Sequence, residues 1–383
     1  MSDDARVAGG ILWIDVGAVV ANWRALAARV RPAECAAVVK ADAYGLGVER
    51  VVPALAAAGC RTFFVAGVDE AIVVARLLNG PGEAFEAAAG APAVIYVLNG
   101  LIPGSEAEFL DHGLRPVLNS LADVDRWSAR ARSLGRQLPA ALHVDTGMSR
   151  LGLPPTELAD LAADPSRLRG LQITLILSHL ACADTPTHPL NADQLALFRR
   201  GLAGLPPAPT SLANSGGVFL GPPFHGHLVR PGIALYGGAP SKDHVSPNPM
   251  QLVVRLDGRI LQVREIDAGT TVGYGAVHKS AQRARIATVA VGYADGFLRS
   301  LSNRGTGYVG EQAVPLVGRV SMDLVTFDVT QVPEPLARPG GFIELIGPHH
   351  PIDAVADAAG TIAYEILTSL GRRYHRVYTG GGG

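Results

Sequence analysis

Cysteine is scarce and irregularly placed. Cys35, Cys60 and Cys182 are the only three in 383 residues. An odd number without short spacings gives neither a disulfide framework nor a zinc pattern. Charge is sparse too: 17% of residues are Asp, Glu, Lys or Arg, and the formal net charge is -1. Without a clustered basic excess there is no electrostatic case for nucleic acid or a membrane surface as partner. No run approaches the roughly 18 apolar residues that a bilayer-spanning helix needs. Met1 to Ala8 carries Asp3 and Asp4 and lacks the apolar stretch of a secretion signal. The expectation is a cytoplasmic protein with reduced thiols and no metal.

The chain is instead rich in material for cores. Hydrophobic residues make up 48% of it, and its length points to two domains. Short apolar runs at Ala36–Lys40, Thr62–Ala66, Ala93–Leu98, Arg115–Leu118, Ala140–Asp145, Leu171–Ser178, Thr210–Asn214 and Leu228–Tyr236 read as strands. Between most of them lie stretches with apolar residues at helical spacing. Leu121–Leu134 and Asn191–Leu202 are the clearest, with Ser120 and Asn191 as N-caps. Eight β-then-α units in this span outline a (β/α)8 TIM-type barrel, with a doubly wound open sheet as the alternative.

The texture changes after Tyr236. Gly237-Gly238-Ala239-Pro240 and Ser246-Pro247-Asn248-Pro249 punctuate the chain as a linker. Beyond it, Leu252–Ile266, Ala284–Val291, Ala313–Val317 and Leu324–Val329 are rich in β-branched residues and read as strands. One helical segment, Ile352–Ser369, lies near the end. The partition is therefore a barrel over 9–240, a mostly β C-terminal domain over 241–379, and a flexible glycine tail over 380–383.

The most informative segment is Val38-Val39-Lys40-Ala41-Asp42-Ala43-Tyr44-Gly45-Leu46-Gly47. An apolar strand closes on a lysine and runs into a glycine-rich turn. In a barrel that lysine stands at the C-terminal mouth of the first strand, where active sites of this fold gather. A desolvated lysine loses its proton readily and forms a Schiff base with an aldehyde, as pyridoxal phosphate (PLP) requires. Taken alone, Lys40 is more often a solvated strand-end residue.

Val39-Lys40-Ala41-Asp42-Ala43-Tyr44-Gly45 resembles the PLP-lysine motif of the alanine racemases. Further segments resemble that family in the same order: His143-Val-Asp-Thr-Gly-Met-Ser-Arg150, Ser178-His179-Leu-Ala-Cys-Ala-Asp184, Ala213-Asn214-Ser215, Val229-Arg230-Pro231-Gly232-Ile233-Ala-Leu-Tyr236, Gly292-Tyr293-Ala294-Asp295-Gly296 and Gly318-Arg319-Val320-Ser321-Met322-Asp323. Together they span most of the chain. The resemblance implies a PLP-binding barrel followed by a β domain, with Ile11–Asp15, in residues 9–15, joining that second domain as a strand. It implies interconversion of L- and D-alanine by two bases in a homodimer with shared sites, supplying D-alanine for peptidoglycan.

Racemisation removes the Cα proton from one face and returns one to the other. By resemblance the two bases are Lys40 and Tyr274 of the partner subunit, the tyrosine lying in Val272-Gly273-Tyr274-Gly275. A tyrosine serving as base needs positive groups beside it. Arg230 takes the family's place at the pyridine nitrogen, with His179 as its hydrogen-bond partner. An arginine does not give up its proton, so it leaves the ring nitrogen neutral and the ring a weaker electron sink. Barrels bind phosphate at the loops after strands seven and eight, and Asn214-Ser215-Gly216 follows the seventh. The resemblance gives the phosphate to Tyr44, Asn214, Ser215 and the amides of Gly232 and Ile233. It gives the substrate carboxylate to Arg150 and the Met322 amide, with Tyr293 and Asp323 beside them.

One departure bears on the chemistry. Many family members carry a carbamylated lysine where His143 stands, an anion that orients the carboxylate-binding arginine. Imidazole forms no such carbamate, so Arg150 must be oriented by a bound anion, by Asp145, or by His143 accepting a hydrogen bond. Near the C-terminus, where some members place a tyrosine over the entrance, this chain has Gly371-Arg372-Arg373, and Arg372 receives no role. Three other readings stay open: a racemase of serine or a longer side chain, a non-catalytic PLP carrier, and a PLP decarboxylase of the same plan. The β domain and Tyr274 speak against the carrier. Arg230, in place of an acidic partner for the ring, speaks against the decarboxylase.

Overall fold

The computed structural model describes residues 6–79, 93–242 and 247–380. The readings placed on Asp3 and Asp4, on Ser246 of the linker and on glycines 381–383 lie outside them. Strands in chain order are β1 Gly10–Asp15, β2 Glu34–Cys35, β3 Ala37–Val38, β4 Thr62–Val65, β5 Val94–Val97, β6 Arg115–Leu118, β7 Leu138–His143, β8 Leu171–Leu177, β9 Thr210–Ser211 and β10 Leu228–Val229. After these come β11 Val254–Ile266, β12 Thr271–Val272, β13 His278–Lys279, β14 Ala284–Val289, β15 Thr306–Val309, β16 Gln312–Pro315, β17 Val325–Asp328, β18 Phe342–Ile346 and β19 His375–Thr379.

The run β3 to β9 forms one parallel sheet in sequence order. β10 closes it. On one side β10 pairs with β2, and the N–H groups of Ala36 and Val38 donate to Val229 and Pro231 carbonyls at 3.0 Å each. On the other, His227 N–H donates to Thr210 O at 2.8 Å and Arg230 N–H to Ala213 O at 2.9 Å. The sheet therefore curls into the α/β barrel that the eight apolar runs outline. Its strands are buried on both faces, with Phe63, Phe64, Leu142 and Ile176 essentially without exposure, as parallel strands covered by helices must be. The helix Leu121–Leu134 illustrates the outer layer. The Ser120 hydroxyl accepts from Asp123 N–H at 3.2 Å, Gly135 closes the helix, and Val124, Trp127, Ser128 and Ala131 face inward at helical spacing. Trp127 then donates its indole N–H to Pro139 O in β7.

Three expectations need correction. Asn191 does not cap its helix, which spans Leu190–Leu202 with Pro189 at the N-cap. It is buried in the first turn and spends its amide on the carbonyls of Cys182 and Thr185. The eighth run is a strand only at Leu228–Val229; Pro231 and Gly232 break it, and Ile233–Tyr236 winds into a 3-10 helix. The segment Ile352–Ser369 is two helices, Ile352–Ala359 and Ala363–Ser369, because Gly360 adopts a left-handed cap at φ 72.

The second sheet runs β16-β15-β18-β11-β1-β19, with β14 on β11 and β17 on β14. β1 lies antiparallel to β11 and parallel to β19, pairing Leu12 with both Leu256 and Arg376. A continuous apolar core joins the two parts, running from Leu12 and Ile14 through Val38 and Val39 to Ile366 and Leu367. The C-terminal segment returns from this sheet onto the mouth of the barrel. The helix Ala363–Ser369 and β19 pack there against the turn that follows β3.

Candidate active site

Lys40 opens that turn. The next four residues, Ala41, Asp42, Ala43 and Tyr44, all lie in the left-handed region at φ 53, 54, 52 and 58. Such a run costs roughly 1–2 kcal/mol per non-glycine residue, so surrounding contacts must hold it. Asp42 accepts Val48 N–H at 2.7 Å, Glu70 accepts Ala41 N–H at 2.6 Å, and Arg376 donates to Gly45 O at 2.8 Å. The Tyr44 ring stacks on Tyr236 at 4.6 Å between centroids and leans on Tyr364 at 5.9 Å. Tyr236 in turn donates its hydroxyl to Val38 O at 3.0 Å. Burial and then the nearby Arg150 charge lower the Lys40 pKa, while Glu70 opposes them. Burial raises the pKa of Tyr44, which stays a neutral hydroxyl.

Beside this turn the loops after β9 and β10 meet. Asn214 caps the short helix Ser215–Phe219, accepting Gly217 N–H at 3.0 Å and donating to Leu180 O at 3.2 Å. The Ser215 hydroxyl accepts Gly232 N–H at 2.9 Å and Ala234 N–H at 3.3 Å. Gly232 has no room for a side chain: a Cβ there would lie 2.1 Å from the Tyr44 hydroxyl. Ile233 is buried and begins a 3-10 turn, so its N–H belongs to a helix start. Tyr44, Ser215 and Gly232 thus converge, with Asn214 and Ile233 flanking them.

Arg230 is buried at the centre of the mouth. It donates to Ser211 O at 2.9 Å, the Ser211 hydroxyl at 2.5 Å, Ser178 O at 2.6 Å and His179 Nδ1 at 3.4 Å. Burial lowers its pKa only to about 10, so it keeps its charge at neutral pH. Burial, and after it Arg230, holds His179 well below the usual histidine value. His179 is therefore neutral, and accepting at Nδ1 leaves its proton on Nε2.

His143 ends β7. Its Nδ1 lies 2.7 Å from Asn119 Oδ1. Asn119 Nδ2 donates to Leu98 O at 3.0 Å, which turns the amide oxygen toward the ring. His143 Nδ1 must then carry the proton, and Nε2 keeps a lone pair. Burial, followed by the Arg230 charge, lowers the His143 pKa to about 4. Asp145 Oδ1 accepts the N–H groups of Gly147, Met148 and Ser149, which holds the loop before Arg150. Arg150 is exposed and makes no hydrogen bond or ion pair among the described residues. Its charge nevertheless acts on Lys40, His143 and His179.

The remaining site residues stand apart. Tyr274 is 71% exposed in a short turn between Gly273 and Gly275, both at positive φ. Tyr293 and Met322 are exposed at 42% and 53%. Their loops are stitched together by Tyr293 N–H to Ser321 O and Ala294 N–H to Met322 O, each 3.0 Å. Asp323 accepts from Arg373 at 2.7 Å, and Arg373 also grips Asp295 with two N–H groups at 2.6 and 2.8 Å. Arg372 is exposed. Among the described residues no hydrogen bond or ring contact joins Tyr274, Tyr293 or Met322 to the Lys40 group. The contacts of the described residues thus tie the mouth residues to one another and leave the rings of Tyr274 and Tyr293 and the Met322 side chain exposed.

Several participants escaped the sequence reading. Asn119 and Ser178 each follow a barrel strand, a position that could have marked them. Tyr236 stood in a quoted segment but received no role, and Ser211 and Tyr364 carry no local signal, because only the fold brings them to Arg230 and Tyr44. Among the described residues, no group of three or more His, Cys, Asp or Glu side chains is placed to hold a metal, and no helix is long and apolar enough to cross a membrane.

Comparison with known proteins gives a consistent result. Residues 14–240 match the family model for the alanine racemase N-terminal domain, and residues 253–378 match that for the C-terminal domain. The chain is 54% identical to an alanine racemase of Rhodospirillum rubrum, over 97% of this chain and 96% of that one. It is 49% identical to a catabolic alanine racemase of Agrobacterium fabrum, over 97% and 92%. Its structure resembles that of a Bartonella henselae alanine racemase with covalently bound pyridoxal phosphate. The TM-score there is 0.89 at 44% identity, over 97% of this chain and 99% of that one.

The two neutral histidines set a pH dependence. An unfolded histidine binds a proton below about 6.5, whereas folded His143 does so only below about 4. Across that window the unfolded state holds more protons, so stability falls as pH falls. His143→Gln should shrink the loss of unfolding free energy between pH 7 and 4.5 by roughly 2 kcal/mol. Urea unfolding at the two pH values checks this, and an unchanged difference would refute the neutral assignment.

Proposed function

The chain belongs to the alanine racemase family, and we propose that it interconverts L- and D-alanine with PLP carried on Lys40 by a two-base mechanism. The observation that carries this reading is the convergence at one barrel mouth of a deprotonation-prone lysine, a hydroxyl-lined cradle and a buried arginine.

The residues present suit the cofactor. The cradle at Gly232 is open only because that residue lacks a Cβ, which would otherwise press on the Tyr44 hydroxyl. Tyr44, Ser215, Asn214 and the Ile233 amide would hold the phosphate beside it; the Gly232 N–H is already given to Ser215. Arg230 would face the ring nitrogen as an N–H donor, kept charged and fixed by Ser178, Ser211 and His179. When bound, PLP joins amines through its aldehyde and takes up the electron pair left as the Cα proton departs. Arg230 retains its own proton, which moderates that uptake.

The chain's own groups handle the protons and the carboxylate. Burial keeps the Lys40 amine inclined to the neutral form, able to take the Cα proton on one face and return it. Tyr274 of the partner subunit does the same on the other face. Lys40 is assigned the proton of D-alanine. Arg150 holds the substrate carboxylate, with the Met322 amide, Tyr293 and Asp323 brought by the second copy. The His143 lone pair, fixed by Asn119, serves as the acceptor that orients Arg150 without a carbamate. The exposure of Tyr274, Tyr293 and Met322 supports a homodimer whose sites are completed across the interface. The reading places the reaction in the cytoplasm, supplying D-alanine to peptidoglycan.

Borohydride should fix PLP to Lys40, and Lys40→Ala should lose racemisation by at least about a thousandfold; retained activity would sink the central assignment. Mixing Lys40→Ala with Tyr274→Phe subunits should restore activity, since each heterodimer then has one intact site. No recovery in verified heterodimers would place both bases in one chain. In rates measured on both enantiomers of alanine, serine and lysine, alanine should lead, and expression should relieve D-alanine auxotrophy. A faster rate on serine or lysine would overturn the substrate assignment.

A further inference from the structure

Glu70 lies in the first turn of the helix Val68–Asn79, which follows β4, and is part-buried. Its carboxylate reaches the neighbouring unit of the barrel. Oε1 accepts Ala41 N–H at 2.6 Å, while Oε2 accepts Ala66 N–H at 2.8 Å and Gly67 N–H at 3.5 Å. Ala41 directly follows Lys40 and is the first of the four left-handed residues. At a helix start that N–H has no acceptor within the turn, so the carboxylate supplies one from outside. The other oxygen ties the same group to the end of β4. One side chain therefore spans two βα loops and pins the start of the strained turn to a neighbouring strand.

We propose that Glu70 is a positioning residue for Lys40, a strap that holds the left-handed turn and thereby the lysine in register at the barrel mouth. The inference rests on the reading of Lys40 as the PLP lysine. The carboxylate is suited to the task because it accepts at both oxygens. A Gln in its place accepts at one oxygen only and turns an N–H₂ donor toward the other N–H groups. Loss of a charge-assisted bond of this kind is large enough to shift a local opening equilibrium about tenfold or more. Its charge also opposes that of Arg150 at Lys40.

The test compares wild type, Glu70→Gln and Glu70→Ala as full-length protein. Glu70→Gln keeps the side-chain volume, so it tests the strap even if the alanine variant folds poorly. Amide exchange should speed up about tenfold in the peptide covering residues 39–47, while the peptide covering β7 stays unchanged. The PLP concentration that half-saturates borohydride trapping on Lys40 should rise by a similar factor. With saturating cofactor, kcat should fall while KM for alanine moves little, since Arg150 is untouched. Unchanged exchange and trapping in both variants would overturn the proposal. So would faster exchange spread equally over β4 and β7, which marks general destabilisation. If wild type itself traps no PLP on Lys40, the cofactor assignment fails, and exchange at residues 39–47 still decides the strap.

Discussion

The left-handed turn Ala41–Tyr44 is the constraint to which much of the molecule answers. A strand that ended on a right-handed helix would carry the chain away from Lys40 along the outside of the barrel. Four residues wound the other way keep it folded over the mouth instead. The conformation is unfavourable at each alanine and at Asp42 and Tyr44, so it persists only by packing. Tyr44 lies between Tyr236 and Tyr364, contributed by β10's extension and by the helix Ala363–Ser369. Arg376 of β19 reaches Gly45. The C-terminal domain is thus part of what shapes the lysine's surroundings, and β1, paired with β11 and β19 in its sheet, ties that domain to the barrel by running directly into the helix Val16–Val30.

Cationic charge is the second organising term. Lys40, Arg150 and Arg230 share one mouth with His143 and His179; burial first, and then the Arg150 charge at Lys40 and the Arg230 charge at the two histidines, makes the lysine and both histidines harder to protonate. The protein resolves this unequally. Arg230 stays charged because three carbonyl or hydroxyl oxygens and a ring nitrogen satisfy its N–H groups. The histidines yield and become neutral, and the lysine is pushed toward its amine. The result suits an anionic ligand and favours the amine form of the lysine, as the proposed roles of Lys40 require.

Much of this was legible in the sequence, for physical reasons that differ by element. Parallel barrel strands are apolar on both faces, so Thr62–Val65 and Leu171–Leu177 stand out as runs. The helix Leu121–Leu134 announced itself through Ser120 and its apolar spacing. Lys40 was visible because it closes such a run. Less legible was whatever depends on the backbone's departure from its default. Nothing in Ala-Asp-Ala-Tyr signals a left-handed turn, since propensity favours the opposite hand. Pro231 and Gly232 hinted at the break in the eighth strand, and Gly360 at the split helix, but both were absorbed into longer elements. Asn119 escaped because its role is a single hydrogen bond to His143, fixed by Leu98 just after β5.

That hydrogen bond shows how one substitution can be absorbed by a site. An anion orients a guanidinium by attraction and needs little else. A neutral imidazole has only one lone pair, and it is useful only if it stays on the correct nitrogen. Leu98 O can accept but never donate, so it fixes the amide of Asn119; the amide oxygen fixes the proton on Nδ1; and Nε2 is left as acceptor. Burial and Arg230 then keep the ring from taking a second proton at neutral pH. An acceptor, the one the proposed function offers to Arg150, is thereby built from three neutral groups, and the Leu98 carbonyl just after β5 decides which ring nitrogen carries it.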